Sequence, residues 1–179
     1  MSFARLSCAL LLACALASSA LASDPVLRKV RDFNGDGKDD IVWRNPSTEQ
    51  AAVWTMNGLA GMGAALYQMF PYITRWTGDF DGDGKTDILF RSNQFGGLGE
   101  IAAWLMNGTA STASAVILNS AQWKVTHIGD YDGDGRDDLL WYNNVTGASA
   151  VWLMNGTAAA GAAVISTNIN WLPYPQYGL

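Results

Sequence analysis

Asp79-Phe80-Asp81-Gly82-Asp83-Gly84-Lys85-Thr86-Asp87, near the middle of the chain, decides the fold because the chain writes it three times. It stands earlier as Asp32-Phe33-Asn34-Gly35-Asp36-Gly37-Lys38-Asp39-Asp40 and later as Asp130-Tyr131-Asp132-Gly133-Asp134-Gly135-Arg136-Asp137-Asp138. The shared pattern, Asp-x-[Asp/Asn]-x-Asp-Gly-x-x-Asp, has the spacing of a calcium loop. Oxygens at the first, third and fifth positions turn inward from a tight loop, and the sixth-position Gly permits the backbone reversal. The seventh position offers a carbonyl and the ninth a further carboxylate, together giving most of the about 6–8 oxygens that Ca2+ takes. The expected ligands are Asp32, Asn34, Asp36, the Lys38 carbonyl and Asp40; Asp79, Asp81, Asp83, the Lys85 carbonyl and Asp87; and Asp130, Asp132, Asp134, the Arg136 carbonyl and Asp138. About three Ca2+ ions are expected.

A solvated acidic turn is the ordinary reading of one such cluster, and three in register outweigh it. An EF-hand is excluded at its twelfth position, which needs a bidentate Glu; here it holds Trp43, Phe90 and Trp141.

Charge follows the loops. Of 16 acidic residues, 13 lie within them, four, four and five in turn. The chain carries no basic patch, so nucleic-acid binding has no electrostatic basis.

Residues 1–22 have the layout of a secretory signal peptide: Arg5, an apolar run from Leu6 to Ala17, and a small-x-small ending at Ala20-Leu21-Ala22. The competing reading is a lipoprotein-type site at Leu11-Leu12-Ala13-Cys14, with Cys14 carrying the lipid. No apolar run reaches the ~20 residues that span a bilayer, so no transmembrane segment is expected. Both cysteines, Cys8 and Cys14, fall in this leader, so disulfides cannot staple the remainder. The expected location is secreted, periplasmic or cell-surface, where calcium is abundant enough to serve as the staple.

Repetition organises the rest. The loops begin 47 and 51 residues apart, and the Gly-rich Phe95-Gly96-Gly97-Leu98-Gly99 accounts for most of the difference. After each loop comes an apolar, β-branched or aromatic run (Ile41 to Arg44, Ile88 to Arg91, Leu139 to Tyr142), then a polar turn. A second run follows, ending Trp54-Thr55-Met56, Trp104-Leu105-Met106 and Trp152-Leu153-Met154. Asn-Gly closes each of these, a strong hairpin signal. Further strands are expected near 64–69, 114–118 and 162–166, with others leading into the loops over 26–31, 72–77 and 123–128. Four short strands per repeat make a propeller-type blade, and no sustained helical period competes. The expected fold is all-β, a β-propeller-type array of about three four-stranded blades. The repeats run over about 26–70, 71–121 and 122–170 of a domain spanning 23–179, with a truncated fourth start at 171–179.

Gly78 to Phe90, followed by Trp104-Leu105-Met106-Asn107-Gly108, resembles the bacterial VCBS/FG-GAP-like repeat, related to the propeller blades of integrin α-chains. The resemblance implies a calcium loop between two strands, in proteins typically exported or on the cell surface and often serving adhesion or carbohydrate binding. The first repeat departs from it, with Arg31 before its loop where the others have Gly78 and Gly129, and with Asn34 in place of Asp. Its site is expected to be the weakest.

The repeated aromatics Trp43, Phe90, Trp141, Trp54, Trp104 and Trp152 are expected to fill the interfaces between blades, with Trp76, lacking a counterpart, as the candidate for stacking on a sugar. His127, the only histidine, makes neither a zinc site nor a persuasive base. No nucleophile or acid/base pair stands apart from the loops, and Glu49 and Glu100 occupy matched turn positions, so a non-enzymatic role is expected. The expected function is an adhesion or ligand-binding module for a glycan or protein, with structural calcium. The alternatives are a secreted polysaccharide hydrolase or lyase, or a non-catalytic fragment of a longer propeller. Three blades do not close a ring, and a homodimer of six blades is one way to complete it.

Overall fold

The computed structural model describes residues 31–45, 50–66, 72–92 and 99–173. The leader lies outside these residues, as does the lead-in strand expected over 26–31 apart from Arg31, which stands in a turn. Of the expected fourth start only 171–173 are described, and they form no strand.

Each acidic loop delivers the chain into a strand, and every strand turns back on its neighbour. The first sheet is β1 (Ile41–Asn45), β2 (Gln50–Asn57) and β3 (Ala60–Leu66). The second is β4 (Tyr72–Gly78), β5 (Asp87–Ser92), β6 (Glu100–Asn107) and β7 (Ala110–Asn119). The third is β8 (Trp123–Gly129), β9 (Asp138–Asn143), β10 (Ser149–Asn155) and β11 (Ala158–Ser166). All three are antiparallel meanders in sequence order, so the structure is all-β with the strand plan of propeller blades. Among the described residues no helix is long and apolar enough to cross a membrane.

The hairpin turns differ in detail from the sequence reading. Asn57, Asn107 and Asn155 are the last residues of their strands, paired with Ala60, Ala110 and Ala158. The two-residue loop is therefore Gly-x, with φ of 62°, 62° and 66° at Gly58, Gly108 and Gly156. A Gly in the left-handed region at the first central position, followed by a residue of ordinary φ, is a type II′ turn. The second and third sheets share their irregularities: the pairing slips between Thr74 and Trp76 and again between Val125 and His127. Trp76 thus has a positional counterpart after all, His127.

The core lies between sheets, and the period-two alternation of the strands builds it. On β5, Ile88 and Phe90 point to the first sheet, where with Phe33, Ala51, Val53 and Met106 they make one buried cluster. Leu89 points the other way, into a second cluster with Phe80, Ile101, Val125, Leu139, Trp141 and Met154. The middle blade is thereby buried on both faces, which is why β5 begins with four buried residues in succession.

Each blade repeats one aromatic pair on the two strands that follow its loop: Trp43 with Trp54, Phe90 with Trp104, and Trp141 with Trp152, at centroid separations of 5.4, 5.3 and 5.0 Å. The latter two pairs belong to the clusters between blades. The first corrects the sequence expectation, because Trp43 and Trp54 are 48% and 43% exposed. Their face is directed away from the second blade, where the described residues supply nothing to cover it. Trp76 is corrected too: it packs against the cluster between the second and third blades, not outward as a sugar platform.

Candidate metal centre

The first Asp of every loop organises the backbone around itself. Asp32 Oδ1 accepts the N–H groups of Gly35 at 2.7 Å and Asp36 at 3.2 Å, and its Oδ2 that of Gly37 at 2.7 Å. Asp79 accepts from Gly82 and Gly84, and Asp130 from Gly133, Asp134 and Gly135. Wrapping the chain this tightly around one carboxylate puts the fourth and sixth residues at positive φ, from 74° at Gly35 to 95° at Gly135, conformations glycine adopts without a Cβ penalty. The third-position oxygens of Asn34, Asp81 and Asp132 then accept from the fifth N–H, and the fifth carboxylates from the seventh.

The ninth-position Asp does something the spacing did not disclose. Asp40, Asp87 and Asp138 are almost fully buried. One carboxylate oxygen of each accepts the N–H of the loop's second residue, Phe33, Phe80 or Tyr131, at 2.8, 2.9 and 2.8 Å. The other accepts the N–H of Met56, Met106 or Met154, at 2.8, 2.9 and 2.9 Å. These side chains fasten each loop to the second strand after it. Burial pushes the Asp87 carboxyl up to about 7 and Asp138 upward as well, against the lowering pull of those same N–H groups.

Carboxylates converge at two loops. Asp79, Asp81 and Asp83 each bring one oxygen within 4.8 Å of the others, and so do Asp130, Asp132 and Asp138. Asp87 stands outside the first triad and Asp134 outside the second. Among the described residues the first loop forms no such triad, in keeping with Asn34 at its third position. A donor set made entirely of hard carboxylate oxygens, on a loop with glycines at its reversals, fits Ca2+ and not a soft or nitrogen-seeking metal. Burial raises the Asp79 carboxyl and repulsion from Asp81 and Asp83 adds to it; a cation held by the triad would act in the opposite sense. The seventh-position bases meet the fifth carboxylates directly: Lys38 Nζ to Asp36 at 2.9 Å, Lys85 Nζ to Asp83 at 2.7 Å, and Arg136 to Asp134. That hydrogen bond from Lys38 holds Asp36 below the usual carboxylate range.

The loops also join the blades. The carbonyl of the first residue accepts an N–H from the next loop's eighth residue: Asp32 from Thr86 at 2.8 Å, Asp79 from Asp137 at 2.6 Å. The carbonyl of the second accepts from the next blade's hairpin glycine: Phe33 from Gly108 at 2.6 Å, Phe80 from Gly156 at 2.8 Å. The rings of Phe33 and Phe80, meanwhile, are buried between the blades. A Cβ on Gly35 would touch the Lys85 stem at 3.5 Å, and one on Gly82 the Arg136 stem at 3.1 Å, so successive loops stack side by side. The second-position aromatics and fourth-position glycines were overlooked in the sequence reading. Their signal was available, since both types recur in all three loops.

Away from the loops, a cleft of about 220 Å3 lies against the third blade, walled by Trp123, Trp141, Trp152 and Val164. Its lining is mostly apolar and includes no carboxylate pair.

Residues 79–141 match the FG-GAP-like repeat and residues 30–56 the FG-GAP repeat. No curated protein and no solved structure matched the chain. With these matches, and with acidic loops followed by antiparallel blades, this chain over residues 30–141 belongs to the FG-GAP repeat family, of the integrin-α-like, VCBS type.

Proposed function

We propose that the protein is an exported calcium-binding repeat module that holds a glycan or protein ligand, with calcium in a structural role. Three ions are bound, one per loop, the first most weakly because Asn34 replaces a carboxylate. The observation that carries this reading is that the second loop, which bears one Asp triad, also joins the second blade to the third through the Asp79 and Phe80 carbonyls and the buried Phe80 ring, and that the loop bearing the other triad meets it there through the Asp137 N–H. Organising the loop therefore organises the joint, and the broad sheet surfaces are left for a ligand. Titration calorimetry of the folded chain with Ca2+ tests the metal, and absence of binding heat and of any spectral change would sink it. A glycan array probed with and without Ca2+ tests the ligand class. Calcium-dependent retention on a defined glycan supports a lectin-like role, and a blank array turns the reading toward a protein ligand.

A further inference from the structure

The joint between blades is built from two unlike halves. The plug is a loop: its second-position ring, Phe33 or Phe80, is fully buried, and the carbonyl beside that ring accepts a hairpin N–H. The socket is the face of the following blade, formed by the aromatic pair Phe90–Trp104 or Trp141–Trp152 and by the hairpin glycine, Gly108 or Gly156, which donates that N–H. A Cβ on Gly108 would touch Asn34 at 3.8 Å and one on Gly156 Asp81 at 3.9 Å, so plug and hairpin lie in contact.

At the two ends of the array each half stands without its mate among the described residues. The third loop is a plug with nothing to enter: Tyr131, the counterpart of Phe33 and Phe80, is 47% exposed. A Cβ on Gly133 would meet nothing within 4 Å, whereas its counterparts Gly35 and Gly82 lie against the next loop's base. The first blade is a socket with nothing in it. Trp43 and Trp54 are set as a pair like the buried ones and Trp54 lies over Gly63, yet both are exposed. Space around Gly58 is open, where Gly108 and Gly156 have a loop beside them.

We propose that two copies of the chain join head to tail, the Tyr131 loop of each seated on the Trp43–Trp54 face of the other, so that two equivalent contacts close a ring of six blades. The occupant is a second copy because the plug the socket is shaped for is one this chain carries at its other end. Plug and socket are different surfaces, so the contact is heterologous, and heterologous contacts end in rings when the rotation closes. Six lies within the range of about 4–8 blades over which propellers close. The apolar faces covered are of the kind that soluble monomers seldom leave open. Tyr131 then takes the place of Phe80, its carbonyl accepting from the partner's Gly58 N–H, and the Lys38 stem lies along the partner's Gly133.

The test is mass in solution, by sedimentation or light scattering of the purified chain with Ca2+ present. The expected result is a dimer. Tyr131→Asp places a charge on the plug, and Trp43→Asp or Leu59→Asp places one on the socket. Each alone should weaken association by about tenfold or more, while Tyr131→Phe should leave it intact. Leu59 is fully exposed at the hairpin tip, so its replacement leaves folding untouched, and circular dichroism checks the other variants. Mixing the plug variant with a socket variant should restore a dimer containing one of each, through the single contact whose two halves are both intact. A wild-type monomer at high micromolar concentration overturns the proposal. So does a dimer indifferent to the charge on folded variants, or growth into open chains without a closed dimer.

Discussion

Within one loop, the carboxylates divide into two kinds that alanine and asparagine substitutions should separate. The ninth-position Asp holds two backbone N–H groups in a buried setting, and Asp87 does so outside the triad of its loop, as work that does not depend on metal. Asp87→Asn, outside its loop's triad, keeps the shape but puts an amide donor where one N–H needs an acceptor, at a cost of about 1–3 kcal/mol. Thermal unfolding should show that loss equally with Ca2+ and in excess chelator. Asp83 belongs to an exposed triad, so Asp83→Ala should lower the melting temperature with Ca2+ present and scarcely at all in chelator; Asp36→Ala, in the loop without a triad, should do so more mildly. Equal effects of chelator on Asp83→Ala and wild type would contradict the metal assignment. The spacing of Asp in the sequence pointed to the two loops where carboxylates converge, but not to Asp87 and Asp134 standing outside the triads or to the first loop forming none among the described residues. It did not disclose that the ninth is a clasp, because the clasp's second partner, Met154 N–H, comes from 16 residues further on, through the pairing of two strands.

At the level of strands and loops, the apolar runs after each loop and the recurrent Asn-Gly were enough to place every described strand to within a few residues. Pairing slips and turn geometry were not legible, since both depend on how neighbouring sheets press on the strand. The joint between blades was partly legible: repeated Trp residues suggested it, but the aromatic hidden inside each acidic loop went unread because the metal pattern explained the loop without it. Phe80 gives the test. Its side chain is wholly buried between the second and third blades. Phe80→Ala should cost about 3–5 kcal/mol through lost burial and the cavity left behind. Chemical denaturation measures this, and a loss below about 1 kcal/mol would mean that the ring is not the plug described.

For the whole molecule, the number of repeats and their blade character followed from sequence because a periodic chain has few ways to bury its faces. Which faces stay open did not follow, since that depends on the direction in which each Trp pair looks: Trp141 and Phe90 toward the preceding blade, and Trp43 toward none among the described residues. Stability of such an array is close to a sum of repeat and nearest-neighbour terms, and here the neighbour terms pass through the loops. A metal bound only by the folded state adds RT ln(1 + [L]/Kd), about 2.7 kcal/mol per site at a hundredfold excess over Kd. Two occupied triads alone would then contribute about 5 kcal/mol, comparable with the total stability of many domains. Chelation should therefore lower the melting temperature markedly. Because Phe80 O to Gly156 N–H and Asp79 O to Asp137 N–H tie loop to blade, it should also loosen the interface holding Trp141, Trp152 and Trp123 before the sheets themselves unravel. The expected record is a red shift of tryptophan emission on adding chelator, at a temperature where the β-sheet circular dichroism is still intact. An unchanged melting curve in excess chelator would show that the loops hold the blades without metal.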